Sequence, residues 1–262
     1  MDIFDIHQHI PSAKIARDKA AAVSDYEARV RFMDANGIGR AALMPDFYYV
    51  MPNGIDDTRR INDQLAEYRA RHSDRFPVAI GTVEPRHGEK SLDEIERIVK
   101  DLRMSGIVWH HKFQGVCIDD SIMRPYLQKV ATLGVPVFIH LFGESSTEAP
   151  WRLENLLAEF PGITFVALDG FSTLDRSRQL AAIAKRHGNV VFDNALMLSY
   201  SRVGEDFVTS VGSERLCFGS DLYNETMFYG RISWLDATKE YRITDRDKHN
   251  ILSGNAKRLL RL

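Results

Sequence analysis

Short apolar runs alternate with longer amphipathic ones along the whole chain. The short runs are Ile3-Phe-Asp-Ile6, Arg40-Ala-Ala-Leu-Met44, Pro77-Val-Ala-Ile-Gly-Thr-Val83, Gly106-Ile-Val-Trp-His110, Val135-Pro-Val-Phe-Ile-His140, Ile163-Thr-Phe-Val-Ala-Leu168, Asn189-Val-Val-Phe192 and Arg215-Leu-Cys-Phe-Gly219. They are near-continuously apolar rather than alternating, which is how strands read when both faces are buried, as in a parallel sheet. The segments between them carry helical spacing. Ser24-x-x-Glu27 and Ser91-x-x-Glu94 fit capping boxes that open helices. Gly37, Gly106, Gly134, Gly162 and Gly188 stand where helices would stop before the next strand. The tail from Thr244 to Leu262 reads as a closing helix capped by Thr244.

Eight strands in strict alternation with helices close a barrel or form an open doubly wound sheet. The glycine-rich turn that follows strand one of a nucleotide-binding sheet is missing; His7-Gln-His9-Ile-Pro stands there instead. The expected fold is therefore α/β, a (β/α)8 TIM barrel, with residues 1–262 as a single domain.

Composition removes several function classes. The 36 acidic and 34 basic residues nearly balance, so no charge excess points to nucleic acid or an anionic membrane. Only Cys117 and Cys217 are present, which excludes a disulfide framework and a Cys-x-x-Cys zinc ribbon. The start, Met1-Asp-Ile-Phe-Asp-Ile, lacks a signal-peptide pattern, and no apolar run approaches the roughly 18 residues that span a bilayer. The expectation is a cytoplasmic, soluble protein acting on a small molecule, with a homodimer as the assembly to look for.

In a barrel, side chains at the C-terminal ends of the strands converge on the mouth. His7 and His9 end strand one, His140 ends strand five and Asp221 ends strand eight. Residues two apart on a strand point the same way, roughly 6.5 Å apart, so two imidazoles there can lean onto one ion. Each residue alone also reads as ordinary structure: exposed histidines, a hydrogen-bonded core histidine, a helix-capping aspartate. Together, three imidazoles and a carboxylate suit Zn²⁺ or another first-row divalent ion such as manganese. Asp221 would bind the ion and accept a proton from its water. Strand four ends in Trp109-His110-His111; alternation lets one histidine face the mouth, and His110 is favoured.

At these residues the chain resembles the amidohydrolase superfamily, in the amidohydrolase-related branch that contains aminocarboxymuconate semialdehyde decarboxylase and its relatives. The resemblance runs through Asp5-Ile-His7-Gln-His9, Gly106-Ile-Val-Trp-His110-His111-Lys-Phe-Gln114-Gly115, Val137-Phe-Ile-His140, Phe218-Gly-Ser-Asp221 and Ile251-Leu-Ser-Gly-Asn255-Ala-Lys-Arg-Leu. It implies one metal ion held by His7, His9, His140 and Asp221, since no bridging Lys or Glu ends strand four. It also implies a histidine at the end of strand six, where this chain has Asp169 in Val166-Ala-Leu-Asp169-Gly170. Asp169 either replaces that group or caps the next helix.

The reading placed first is a metal-dependent hydrolase of a small amide or lactone, with Asp221, Asp169 and His110 as catalytic residues. The alternative is a non-oxidative decarboxylase of an unsaturated or aromatic acid, with Lys14, Arg17 or Lys112 holding the carboxylate. A ligand-binding barrel without turnover is the third. Tyr223, Asn224, His111 and Tyr48, the last in the aromatic run Asp46-Phe-Tyr-Tyr-Val-Met-Pro, are candidate substrate contacts. Trp151 and Trp234 read equally well as helix packing.

Overall fold

Strand one is Ile3–Ile10, strand two Ile38–Pro45, strand four Ile107–Trp109 and strand five Val137–His140. Strands six, seven and eight are Phe165–Leu168, Val190–Asp193 and Leu216–Cys217. Strand three comes in two pieces, Val78–Ala79 and Gly81–Thr82. Its first piece pairs with strand two and its second with strand four, so the break at Ile80 does not interrupt the ring. All pairs are parallel, and the neighbours follow sequence order. The ring closes where Ile6 N–H donates to Phe218 O at 2.9 Å and Gln8 bridges Leu222. The barrel expected from the sequence is the fold of this computed structural model, which describes residues 2–15, 18–46, 50–143, 145–197, 202–223 and 230–262.

Two buried apolar groups explain the continuous hydrophobic runs. One fills the barrel: Phe4, Ile6, Ala42, Met44, Val78, Ile80, Val108, Phe138, Val166, Leu168 and Cys217 point inward, with Ala256 and Leu260 of the tail beneath them. The other, including Ile3, Ile107, Ile139, Phe165 and Phe192, lies between the strands and the surrounding helices. Each strand serves both, so neither face can be polar.

The helix boundaries differ from expectation in instructive ways. The helix Lys19–Asn36 starts at Asp18, whose side chain accepts from Ala20 N, and Ser24 lies within it. The helix Glu89–Lys100 starts after Gly88, and the Ser91 hydroxyl instead donates to Glu84 O at 2.7 Å. Neither serine caps, because an aspartate or a glycine turn upstream starts the helix first. Gly37 and Gly134 close their helices in the left-handed conformation, at φ 71° and 65°. Gly106, Gly162 and Gly188 do not, since the preceding helices end at Lys100, Glu159 and Arg186. Thr244 does cap the tail, in a capping box with Asp247. That tail is not one α-helix: Asp245–His249 and Asn255–Leu260 flank a π turn at Asn250–Gly254. Asn255 at the turn's end donates to Ser213 O and Leu216 O, docking the tail onto strand eight. Among the described residues no helix is long and apolar enough to cross a membrane.

Candidate metal centre

Strict alternation along strand one would carry the inward parity of Phe4 and Ile6 on to Gln8. The register shifts between Asp5 and Gln8 instead, and such an irregularity re-aims the side chains that follow. Asp5 pins it. Its buried carboxylate accepts from His7 N at 3.0 Å, Ser220 N at 2.9 Å and Gln8 Nε2 at 2.7 Å. Burial pushes this carboxyl up to about 6, against the pull of those donors.

Beyond the shift, His7 and His9 turn into the mouth and meet His140 from strand five. His7 Nε2 lies 2.8 Å from His9 Nε2, and His140 Nε2 lies 3.3 Å from His9 Nε2. Asp221 Oδ1 stands 3.4 Å from His7 Nε2 and 3.5 Å from His9 Nε2. All four residues are buried.

The other ring nitrogens decide what this cluster is. His7 Nδ1–H donates to Asp193 Oδ2 at 2.7 Å, His9 Nδ1–H to Pro45 O at 2.5 Å, and His140 Nδ1–H to Trp109 O at 3.1 Å. With each ring hydrogen committed outward, three Nε2 lone pairs face one another. Burial drives His7 down to about 3, against the pull of Asp221, and drives His140 well below the usual histidine value, with the neighbouring imidazoles adding to it. His7 and His140 are therefore neutral, the form that ligates a metal. Asp221 Oδ1 has no hydrogen-bond partner among the described residues. Lone pairs this close repel unless a cation stands between them. A tetrahedral ion with bonds of about 2.1 Å sets its ligand atoms about 3.4 Å apart, close to the spacings found. The donor set fits a single divalent ion.

Asp193 is a neighbour of the cluster that the sequence reading missed. It closes strand seven directly after Val190-Val-Phe192, a polar group at a strand end of the kind that singled out His140. Its Oδ1 also accepts from Asp169 N at 2.9 Å. Gly219 leaves room for it: a Cβ there would fall 2.5 Å from Asp193 Oδ2 and 3.0 Å from His7 Cβ. Losing such an outer partner costs a metal site about 10- to 100-fold in affinity. Asp193→Asn is expected to weaken metal binding by that amount in chelator competition; an unchanged affinity would remove Asp193 from the site.

Asp169 ends strand six beside the cluster, with Oδ1 3.7 Å from His7 Nδ1 and no hydrogen-bond partner for that oxygen among the described residues. Burial first, then the charges of Asp221, Asp193 and Glu148, raise its carboxyl well above the usual range. Asp169 and Asp221 both have left-handed backbones, at φ 60° and 52°, a conformation uncommon outside glycine that Asp tolerates better than most.

Strand four ends at Trp109, so alternation does not govern the two histidines after it; His110 precedes a short helix, His111–Gln114. The His110 ring stacks on His140, with centroids 4.1 Å apart and planes at 7°. His111 is buried elsewhere: its Nδ1–H donates to Val116 O at 3.1 Å, and burial pushes it down to about 3. Tyr223 stacks on His9 at 4.1 Å, and its carbonyl accepts from the fully buried Arg29. Lys14 is exposed on the helix Ser12–Ile15, and the Lys112 ammonium lies 4.5 Å from the centre of the Phe142 ring. Trp234 donates to Gly219 O at 2.8 Å beneath the end of strand eight, whereas Trp151 is exposed. Tyr48, Asn224 and Arg17 lie outside the described residues.

The Amidohydrolase family profile matches residues 4–262. The 2-amino-3-carboxymuconate-6-semialdehyde decarboxylase of Dictyostelium discoideum is 28% identical over 107 residues, covering 40% of this chain and 27% of that protein. The 2-keto-4-carboxy-3-hexenedioate hydratase of a Sphingobium species is 26% identical over 208 residues, covering 64% of this chain and 60% of that protein. The chain thus spans less than two thirds of the length of either relative. Among solved structures, 2,6-dihydroxybenzoate decarboxylase complexed with 2,6-dihydroxybenzoate matches 100% of both chains, with a TM-score of 0.77 and 19% identity. That likeness is one of fold.

Proposed function

Because this chain belongs to the amidohydrolase family, we propose that it is a metal-dependent enzyme that decarboxylates a small unsaturated or aromatic acid without oxidation. The observation that carries the metal is the convergence of three outward-protonated imidazoles with the Asp221 carboxylate oxygen that has no hydrogen-bond partner among the described residues. The choice of reaction rests on the relatives. The sequence alone placed hydrolysis first, but the curated relatives include the 2-amino-3-carboxymuconate-6-semialdehyde decarboxylase and a gamma-resorcylate decarboxylase of Rhizobium radiobacter, 30% identical over 125 residues and covering 44% of this chain and 38% of that protein.

His7, His9, His140 and Asp221 would hold the ion, with zinc the first expectation and manganese compatible with the same nitrogen and oxygen donors. When bound, it supplies Lewis-acid charge for a substrate oxygen and lowers the pKa of a water. In decarboxylation the C–C bond to the carboxylate breaks, the electron pair stays on carbon, and one proton arrives there. Asp169 and Asp221 present buried carboxyl oxygens beside the cluster, where that proton can be handed over. Lys112 supplies a cation on the strand-four side for the substrate carboxylate.

A second reading, addition of water, has one specific support: the hydratase is the named curated relative matched over the larger share of this chain. Carbon dioxide separates the two. Metal-loaded protein given a panel of hydroxybenzoates and carboxymuconate-type acids is expected to release CO₂, to stop with chelator and to recover when the ion returns. Acid consumed without CO₂ would favour water addition. No consumption of any acid, ester, lactone or amide would leave a ligand-binding barrel.

A further inference from the structure

Glu148 ends the polar turn Ser146–Glu148, yet its exposure is 0%. Its Oε1 accepts from His110 Nδ1 at 2.7 Å and from Lys112 N at 2.8 Å, and its Oε2 accepts from Phe142 N at 3.2 Å. One carboxylate thereby ties the segment after strand four to the segment after strand five. A buried carboxylate persists only when its oxygens are matched by donors, and here three are. The imidazole it holds is the ring stacked on the metal ligand His140. A second clamp fixes the same residue, since His110 N–H donates to Gln114 Oε1 at 3.1 Å. His110 differs from His7, whose Nδ1 also meets a buried carboxylate. The other nitrogen of His7 belongs to the donor cluster, whereas His110 contributes no atom to that cluster.

We propose that Glu148 is a positioning residue of the active site: it holds the His110 ring against His140 and keeps the ring hydrogen on Nδ1, so that Nε2 is the nitrogen that meets substrate. A carboxylate on one imidazole nitrogen fixes both tautomer and ring plane, which sets what the other nitrogen can accept or donate. The position of the ring matters because no imidazole reaches the cluster from strand six, where Asp169 stands. The assignment rests on the metal-site reading above, but its test has a readout independent of turnover.

Two measurements test it on the full-length protein loaded with zinc. In the first, imidazole ¹⁵N shifts report the tautomer of His110. The wild type is expected to carry its hydrogen on Nδ1, and Glu148→Gln to shift the ring to a mixture or to the Nε2–H form. In the second, Glu148→Gln, His110→Asn and the double variant are compared for kcat, KM and metal content. Glu148→Gln is expected to lower kcat about 100-fold, the lower range for a positioned proton-transfer group, with KM within about 3-fold and metal retained. In the His110→Asn background the same change should cost less than about 3-fold, because Glu148 acts through His110. Equal losses in both backgrounds, or an unchanged ¹⁵N pattern, would overturn the proposal. If Glu148→Gln folds poorly, Glu148→Asp keeps the carboxylate and is expected to retain the Nδ1–H tautomer; its loss there would also count against the proposal. A wild type that releases no CO₂ but loses the tautomer on Glu148→Gln would sink the decarboxylase reading and leave the role of Glu148 intact.

Discussion

His140→Ala is expected to leave the purified protein without its ion and to reduce turnover by well over the roughly 10- to 100-fold that losing an outer-shell partner costs. The His140 ring is held by Trp109 O, which accepts from its Nδ1–H, so that its Nε2 is one of three nitrogens aimed at the same point and faces His9 Nε2 at 3.3 Å. No other histidine is placed to take over, since His110 stacks flat against it and His111 is turned toward Val116. The consequence for stability is less obvious. Without metal, the wild type confines three facing lone pairs in a buried space, so metal-free His140→Ala should melt at or above metal-free wild type. Added zinc should raise the melting temperature of the wild type alone, because only a folded site that binds gains from the ion. Equal metal content in variant and wild type, by elemental analysis of dialysed protein, would contradict this.

The second large effect falls on Arg29, which is fully buried and meets five acceptors. It pairs with Asp25 through two nitrogens and donates to Gln8 Oε1, His9 O and Tyr223 O. Tyr68 also donates to Asp25, at 2.8 Å. The guanidinium therefore joins strand one, the segment after strand eight and the first long helix at the point where His9 and Asp221 must stay together. Removing one partner of a buried ion pair leaves the other charge stranded, at about 3–5 kcal/mol. Arg29→Met is expected to lose that much in urea unfolding at fixed metal. For a chain of this size that corresponds to a drop in Tm of roughly 6–20 °C. A loss below about 1 kcal/mol would mean that water or a rearranged Asp25 replaces the guanidinium.

What the sequence revealed and concealed follows from what each residue answers to. Strand positions were legible because each run must be apolar on both faces, one toward Phe4, Phe138 and Val166 and the other toward the helices. His7, His9, His140 and Asp221 were legible because a barrel fixes where strand ends point, so a polar group closing an apolar run stands out. The register shift at Asp5 was not, since nothing in Asp5-Ile-His7 distinguishes a regular strand from one pinned by a buried carboxylate. The helix starts were misplaced for a related reason: Ser24 and Ser91 have capping-box spacing, but Asp18 and Gly88 act first in the folded chain. Glu148 and Arg29 were hidden most deeply. A glutamate in a polar turn and an arginine on a helix look solvated until the tertiary structure closes over them. Asp193 was readable by the strand-end rule.

The proposed decarboxylation breaks the bond between a carbon and its carboxylate, at a site built on His7, His9, His140 and Asp221. Its most direct test is the mass and labelling of the product when the metal-loaded protein turns over an accepted acid in D₂O. The account predicts a product lighter than the acid by CO₂, with one deuterium on the carbon that held the carboxylate, and formed only while the ion is present. A product that keeps its carboxylate and gains the mass of water would contradict it.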